Sequence, residues 1–134
     1  AIISSFMEEV TFPQNHVVFR QGTSARFIYI VAYGCVDIQH KPYDGPPIFV
    51  ARIIKGDFFG WSALLQREVY TSSAICQEAS KLYRISLKNL LWLCENNRET
   101  GIILLQQITN IFLKRMRTKR SDIFQIIKNS IIPD

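Results

Sequence analysis

Apolar residues come in short runs through the first two thirds of the chain and at helical spacing through the last third. Residues 17–20, 27–31, 35–40, 48–54, 72–77 and 81–85 are rich in β-branched and aromatic side chains and read as strands. Turn chemistry separates them: Gln21-Gly22-Thr23-Ser24, Tyr33-Gly34, Lys55-Gly56-Asp57, and a longer stretch at 41–47 with Asp44-Gly45 between prolines. Asp-Gly tolerates positive φ and proline lacks an amide donor, so 41–47 reads as an exposed hairpin tip. Strands recurring at roughly ten residues with tight turns predict an antiparallel roll, barrel or sandwich.

After Ser86 the period lengthens. Leu87, Leu90, Leu91 and Cys94 recur at three and four, with Ser86 placed to cap the helix they predict. Asn96 followed by Glu99 resembles a capping box for a second, longer helix. Its apolar face runs through Ile103, Leu104, Ile108, Ile111, Phe112 and Met116; Ile123, Ile126 and Ile127 either continue it or follow a break at Ser121-Asp122. Phe6, Met7 and Val10 suggest a short leading helix. The predicted class is α+β: an antiparallel β-roll, barrel or sandwich over about 11–86, flanked by that short N-terminal helix and by C-terminal helices over about 87–128, in a single domain of 1–134.

Composition agrees. The 134 residues are 48% hydrophobic and 20% charged, enough for one core and too apolar for a disordered chain. The longest apolar runs, 27–33 and 102–105, fall far short of the roughly 20 residues a membrane helix needs. No export signal opens the chain, and Cys35, Cys76 and Cys94 are odd in number and widely spaced. They form no disulfide framework and no zinc pattern, and read as small buried hydrophobes in a reducing, cytoplasmic setting. His16 and His40 stand apart without a clustered acid, so no metal site is expected. Neither belongs to a nucleophile motif, and no Gly-x-Ser-x-Gly or phosphate-loop spacing occurs; no enzyme activity is expected.

The net charge of +5 matters through its placement. Lys114-Arg115-Met116-Arg117-Thr118-Lys119-Arg120 concentrates five cations in seven residues. On a helix they wrap most of the circumference near its end, where the macrodipole favours cations, so a solvated helix end competes with a nucleic-acid or acidic-partner surface. Phe112, Met116, Ile123 and Ile126, interrupted by Lys119, approximate a two-helix seam. Dimerisation is assigned to Phe112, Met116 and Ile123; an intramolecular core helix is the alternative.

Val18-Phe19-Arg20-Gln21-Gly22, Phe27-Ile28-Tyr29-Ile30-Val31 and Gly34-Cys35-Val36-Asp37-Ile38 follow one another as glycine turn, apolar strand and second glycine turn. Ile53-Ile54-Lys55-Gly56-Asp57-Phe58-Phe59-Gly60, Ser62-Ala63-Leu64-Leu65 and Tyr70-Thr71-Ser72-Ser73-Ala74 complete a second pattern. In order and spacing, over about residues 8 to 128, these resemble the cyclic nucleotide-binding domain, the sensor unit of the catabolite activator protein and FNR regulator family. The resemblance implies a β-roll, a phosphate-binding cassette opened by Gly60 and a short helix over 61–66, and a long helix that carries the response. It implies a candidate pocket of Phe59, Gly60, Trp61, Ser62, Ala63, Tyr70, Thr71 and Ser72, with Arg115 and Met116 of the long helix approaching the ligand base. Its ligand would be a cyclic nucleotide or another small effector, and its partner a second copy through the C-terminal helix. DNA is implied only where a helix-turn-helix lies beyond Asp134.

The cassette departs from the family pattern at two places. A glutamate that holds the ribose is replaced by Trp61, and an arginine that pairs with the phosphate by Tyr70; Arg67 stands three residues early and would serve only with a shorter loop. A charge-assisted bond to phosphate contributes about 1.5–3 kcal/mol. Losing both groups therefore costs several kcal/mol, roughly a thousandfold or more in affinity. The expected function is a regulatory sensing module that does not take cAMP or cGMP in the usual way, its cavity either filled by the two rings or open to a flat ligand that stacks on them. A cyclic nucleotide receptor with an atypical pocket, and a binder of nucleic acid through 114–120, are the alternatives.

Overall fold

The computed structural model describes residues 7–65 and 67–131, the side chains of Leu64 and of 115–131 excepted. Among the described residues eight strands and three helices follow one another: β1 (Glu8–Phe12), β2 (Val17–Phe19), β3 (Phe27–Tyr33), β4 (Val36–His40), β5 (Ile48–Ile53), β6 (Phe58–Phe59), α1 (Trp61–Leu64), β7 (Ser73–Cys76), β8 (Ser80–Ser86), α2 (Leu87–Asn96) and α3 (Arg98–Ile131). The strands form two four-stranded antiparallel sheets, ordered β1-β8-β3-β6 and β2-β7-β4-β5. The α+β class and the long C-terminal helix are as the hydrophobic pattern predicts, and the β-roll is as the resemblance implies.

The first sheet is buried on both faces, because its side chains alternate between two cores. Ile28, Phe58 and Ile85 point to a core shared with Leu90, Leu93, Leu104 and Ile108 of the helices. Tyr29, Val31, Phe59 and Leu82 point the other way, to a core between the sheets with Val36, Ile53, Ala74 and Cys76. Phe58 and Phe59, adjacent in sequence and almost wholly buried, therefore anchor different cores. Burying such a ring contributes about 1.5–3 kcal/mol, so this two-residue strand fixes the start of the cassette.

Two expectations need correction, and one open alternative is settled. Val10, assigned to a leading helix, lies on β1, where it pairs with Leu82 of β8; Met7 precedes that strand in a bend, and Phe6 lies outside the described residues. Glu8-Glu9 and Thr11 are exposed while Val10 and Phe12 are half-buried, a period of two rather than of helix. The cap of α3 is Asn97, not Asn96: Asn97 Oδ1 accepts from the Thr100 amide at 3.4 Å. Asn96 is the last residue of α2, and its side-chain amide donates to the Trp92 carbonyl one turn back at 2.9 Å. The alternative of a break at Ser121-Asp122 is not taken, since α3 runs unbroken to Ile131.

Ser86 caps α2 as expected, its Oγ accepting from the Asn89 amide at 3.0 Å. The helix pair then closes on Gly101, where a Cβ would stand 2.8 Å from the Cα of Cys94. Only a glycine lets the two backbones approach this closely.

Candidate cassette site

Strand β6 ends after two residues, and the reason lies at Gly60. Its φ of 87° and ψ of 30° are left-handed, and a Cβ there would meet the Phe27 carbonyl oxygen at 2.7 Å. The chain leaves the sheet here and turns directly into α1. β6 pairs only with Tyr29 and Ile30. The amide and carbonyl of Phe27 lie past its end, and both go to the Tyr70 hydroxyl. Tyr70 Oη accepts from the Phe27 amide at 3.0 Å and donates to the Phe27 carbonyl at 2.8 Å.

Tyr70 thus repairs the sheet edge that the cassette interrupts. Its ring is buried and lies flat on Phe19, with centroids 3.6 Å apart and planes 10° from parallel. Burial pushes its hydroxyl up to about 12, outweighing the bonds to the Phe27 and Arg26 backbone, which act the other way. Trp61 has a different task. Its indole meets Phe112 of α3 edge-on at 4.9 Å and Phe58 at 6.1 Å, linking the cassette helix to the long helix. Its Nε1 is buried, with no hydrogen-bond partner among the described residues.

A cavity of about 100 Å³ remains between these rings, lined by Phe59, Gly60, Trp61, Ser62, Tyr70, Thr71 and Ser72 of the expected set. Phe19 and Ile38 join them, and neither was in that set. A signal for both exists in register alone: each faces Ala74 of β7, and a small residue opposite leaves room for a large one to turn inward. Ala63 does not line the cavity but is buried in the helix-side core. The side chains of Arg115, Met116 and Ile123 lie outside those described, and so does most of the basic run at 115–120. Phe112 is half-buried and faces Trp61 of its own chain.

Among the described residues no charged side chain lines the cavity. The Arg67 side chain is exposed and absent from its wall, while the Arg67 amide donates to the Ser62 carbonyl at 2.9 Å. Ser62 is nearly buried, and its Oγ accepts from the Thr71 amide at 3.4 Å, holding the two arms of the loop together. His40 shares a contact of 2.9 Å between Nδ1 and the Thr71 carbonyl, and His16 stacks on Phe12 at 4.1 Å; both are exposed.

Two antiparallel sheets, a glycine-opened cassette between β6 and β7, and a long helix packed over it define a cassette-bearing β-roll domain. The cyclic nucleotide-binding domain family matches residues 9–97, and the chain belongs to it. A cGMP-dependent protein kinase of Drosophila melanogaster is 32% identical over 78 residues, 58% of this chain and 8% of that protein. The chain therefore spans under a tenth of that curated relative. Among solved structures, a c-di-GMP-responsive global regulator of Xanthomonas campestris aligns with a TM-score of 0.79 at 19% identity, over 99% of this chain and 63% of that one. The Thermus thermophilus catabolite activator protein aligns with a TM-score of 0.72 at 21% identity, over 91% and 55% respectively. At these identities the structural likeness concerns the fold. No described helix is long and apolar enough to cross a membrane.

Proposed function

We propose that the chain is a non-enzymatic, ligand-sensing regulatory module in which the cassette cavity does not take cAMP or cGMP in the manner usual for the family. The observation that carries this reading is the commitment of Tyr70. Its hydroxyl bonds both backbone groups of Phe27 and its face lies on Phe19, in a wall whose described residues offer a cyclic phosphate no guanidinium. The cavity of about 100 Å³ is also small against the roughly 300–1,000 Å³ of small-molecule sites. Trp61 supports the signalling half of the reading, because any shift of α1 bears directly on Phe112 and hence on α3.

The same helix is the proposed dimer contact. Ile102 and Leu105 are exposed and stand at the three-and-four spacing that leads to Phe112, Met116 and Ile123. A regulator of the catabolite activator type, acting in the cytoplasm as a homodimer, is the context that fits such a module; DNA enters only through a further domain. Calorimetric titration with cAMP and cGMP tests the cassette reading. Micromolar binding of either nucleotide overturns it, and silence with both at millimolar concentration is the expected result.

A further inference from the structure

A second and wider cavity lies on the far side of the Phe19–Tyr70 stack, between the end of β2 and the paired strands β3 and β8. It measures about 740 Å³, within the range of small-molecule sites. Three guanidinium groups line it: Arg20 just after β2, Arg26 just before β3, and Arg84 on β8. No Asp or Glu does. The topology gathers these charges, since Arg20 and Arg26 bracket the Gly22 turn while Arg84 is the register partner of Tyr29.

The three are not equivalent. Arg84 is already paired, its Nε and Nη2 donating to the two carboxylate oxygens of Glu8 at 3.0 and 3.3 Å, and its guanidinium lies 4.4 Å from the centre of the Phe27 ring. Among the described residues Arg20 and Arg26 have no side-chain partner, and both are exposed. The unpaired charges of Arg20 and Arg26 reinforce one another's potential, and the low-dielectric wall of Phe19, Phe27 and Tyr70 focuses it. A planar guanidinium fork suits phosphate in particular.

We propose that this cleft binds a phosphate-bearing small molecule with a planar body, its phosphate held between Arg20 and Arg26 and its body against the aromatic wall. Phe19 and Tyr70 line both cavities, so a ligand here presses on the wall of the cassette without entering it. The inference does not depend on whether the cassette itself takes a cyclic nucleotide.

The test uses AMP as probe, with adenosine as its uncharged counterpart, in calorimetric titrations at low salt. AMP is expected to bind at least tenfold more tightly than adenosine, and the Arg20→Gln/Arg26→Gln double variant to lose about tenfold in affinity. Both arginines are exposed, and a melting curve confirms that the variant folds. Equal binding of AMP and adenosine, retention of affinity in the double variant, or preference for a single-stranded oligonucleotide over AMP overturns the site.

Discussion

Replacing Tyr70 by Phe removes one oxygen and keeps the ring on Phe19, so it isolates the work of the hydroxyl. That oxygen makes two hydrogen bonds, at 3.0 and 2.8 Å, to a backbone amide and carbonyl of Phe27 that lie past the end of β6. An intact bond contributes about 1 kcal/mol net, and a part-buried group left without a partner costs about 1–3 kcal/mol. Discounted for partial rescue by water, the expected loss at pH 7 is about 2–3 kcal/mol, a substantial part of a stability of roughly 5–15 kcal/mol. In urea, with a slope of about 1–3 kcal/mol/M, the midpoint should fall by about 1–2 M. The pH dependence gives a second readout. Tyr70 is raised from an ordinary 10.0 to about 12 by burial. The folded state therefore holds its proton more tightly than the unfolded state, and the stabilisation is complete below pH 10 and is lost as pH rises towards and through 12. A shift of that size corresponds to about 2–3 kcal/mol. Tyr29 is also raised by burial and steepens the alkaline limb in both proteins, so the difference between wild type and variant isolates Tyr70. A midpoint shift under about 0.3 M, or an alkaline limb unchanged by the substitution, would refute the structural role assigned to Tyr70.

Other outcomes follow from the same contacts. Gly101→Ala would place a Cβ 2.8 Å from the Cys94 backbone, and thermal melting should show a loss of about 1–3 kcal/mol from the forced separation of α2 and α3. Trp61→Ala removes the rings' contact with Phe58 and Phe112; amide exchange over the first turns of α3 should accelerate while β3 and β8 keep their protection. Ser86→Ala deletes the cap of α2, for which chemical denaturation should register about 1 kcal/mol. Ile102→Glu with Leu105→Glu should shift any dimer towards monomer in sedimentation velocity, whereas an unchanged mass distribution argues against this face as the seam.

The strands with strong alternation were legible because tertiary packing agrees with their local pattern. β3 reads as strand from Phe27 onwards since Ile28 and Ile30 serve one core and Tyr29 and Val31 the other. Ser86 was legible for a similar reason, a cap and an apolar face pointing to the same boundary. β1 was not, because Phe6, Met7 and Val10 also satisfy helical spacing over so short a stretch, and only the pairing with β8 separates the two readings. β6 was hidden by its length: two aromatics in a row carry no period, and their division between two cores is a property of the sheet. The misplaced cap at Asn96 has the same origin, since two successive asparagines offer equal local chemistry and the close approach at Gly101 selects the second.

At the cassette the resemblance implies that Trp61 and Tyr70 stand where an acid and a base are expected, and from sequence both rings could equally face a ligand or the core. The difference arises from groups far away in the chain. Tyr70 is committed by Phe27, 43 residues distant, and by Phe19, whereas Trp61 is committed by Phe112 on another element. Tyr70 therefore mends a sheet edge, and Trp61 joins the loop to α3. On the proposed function, a cassette without the usual phosphate grip keeps its connection to α3. The Trp61–Phe112 contact gives movement of the loop a route to the helix whatever drives it, and the arginine-lined cleft behind Phe19 is the place in the described structure from which an anion could push on the same wall.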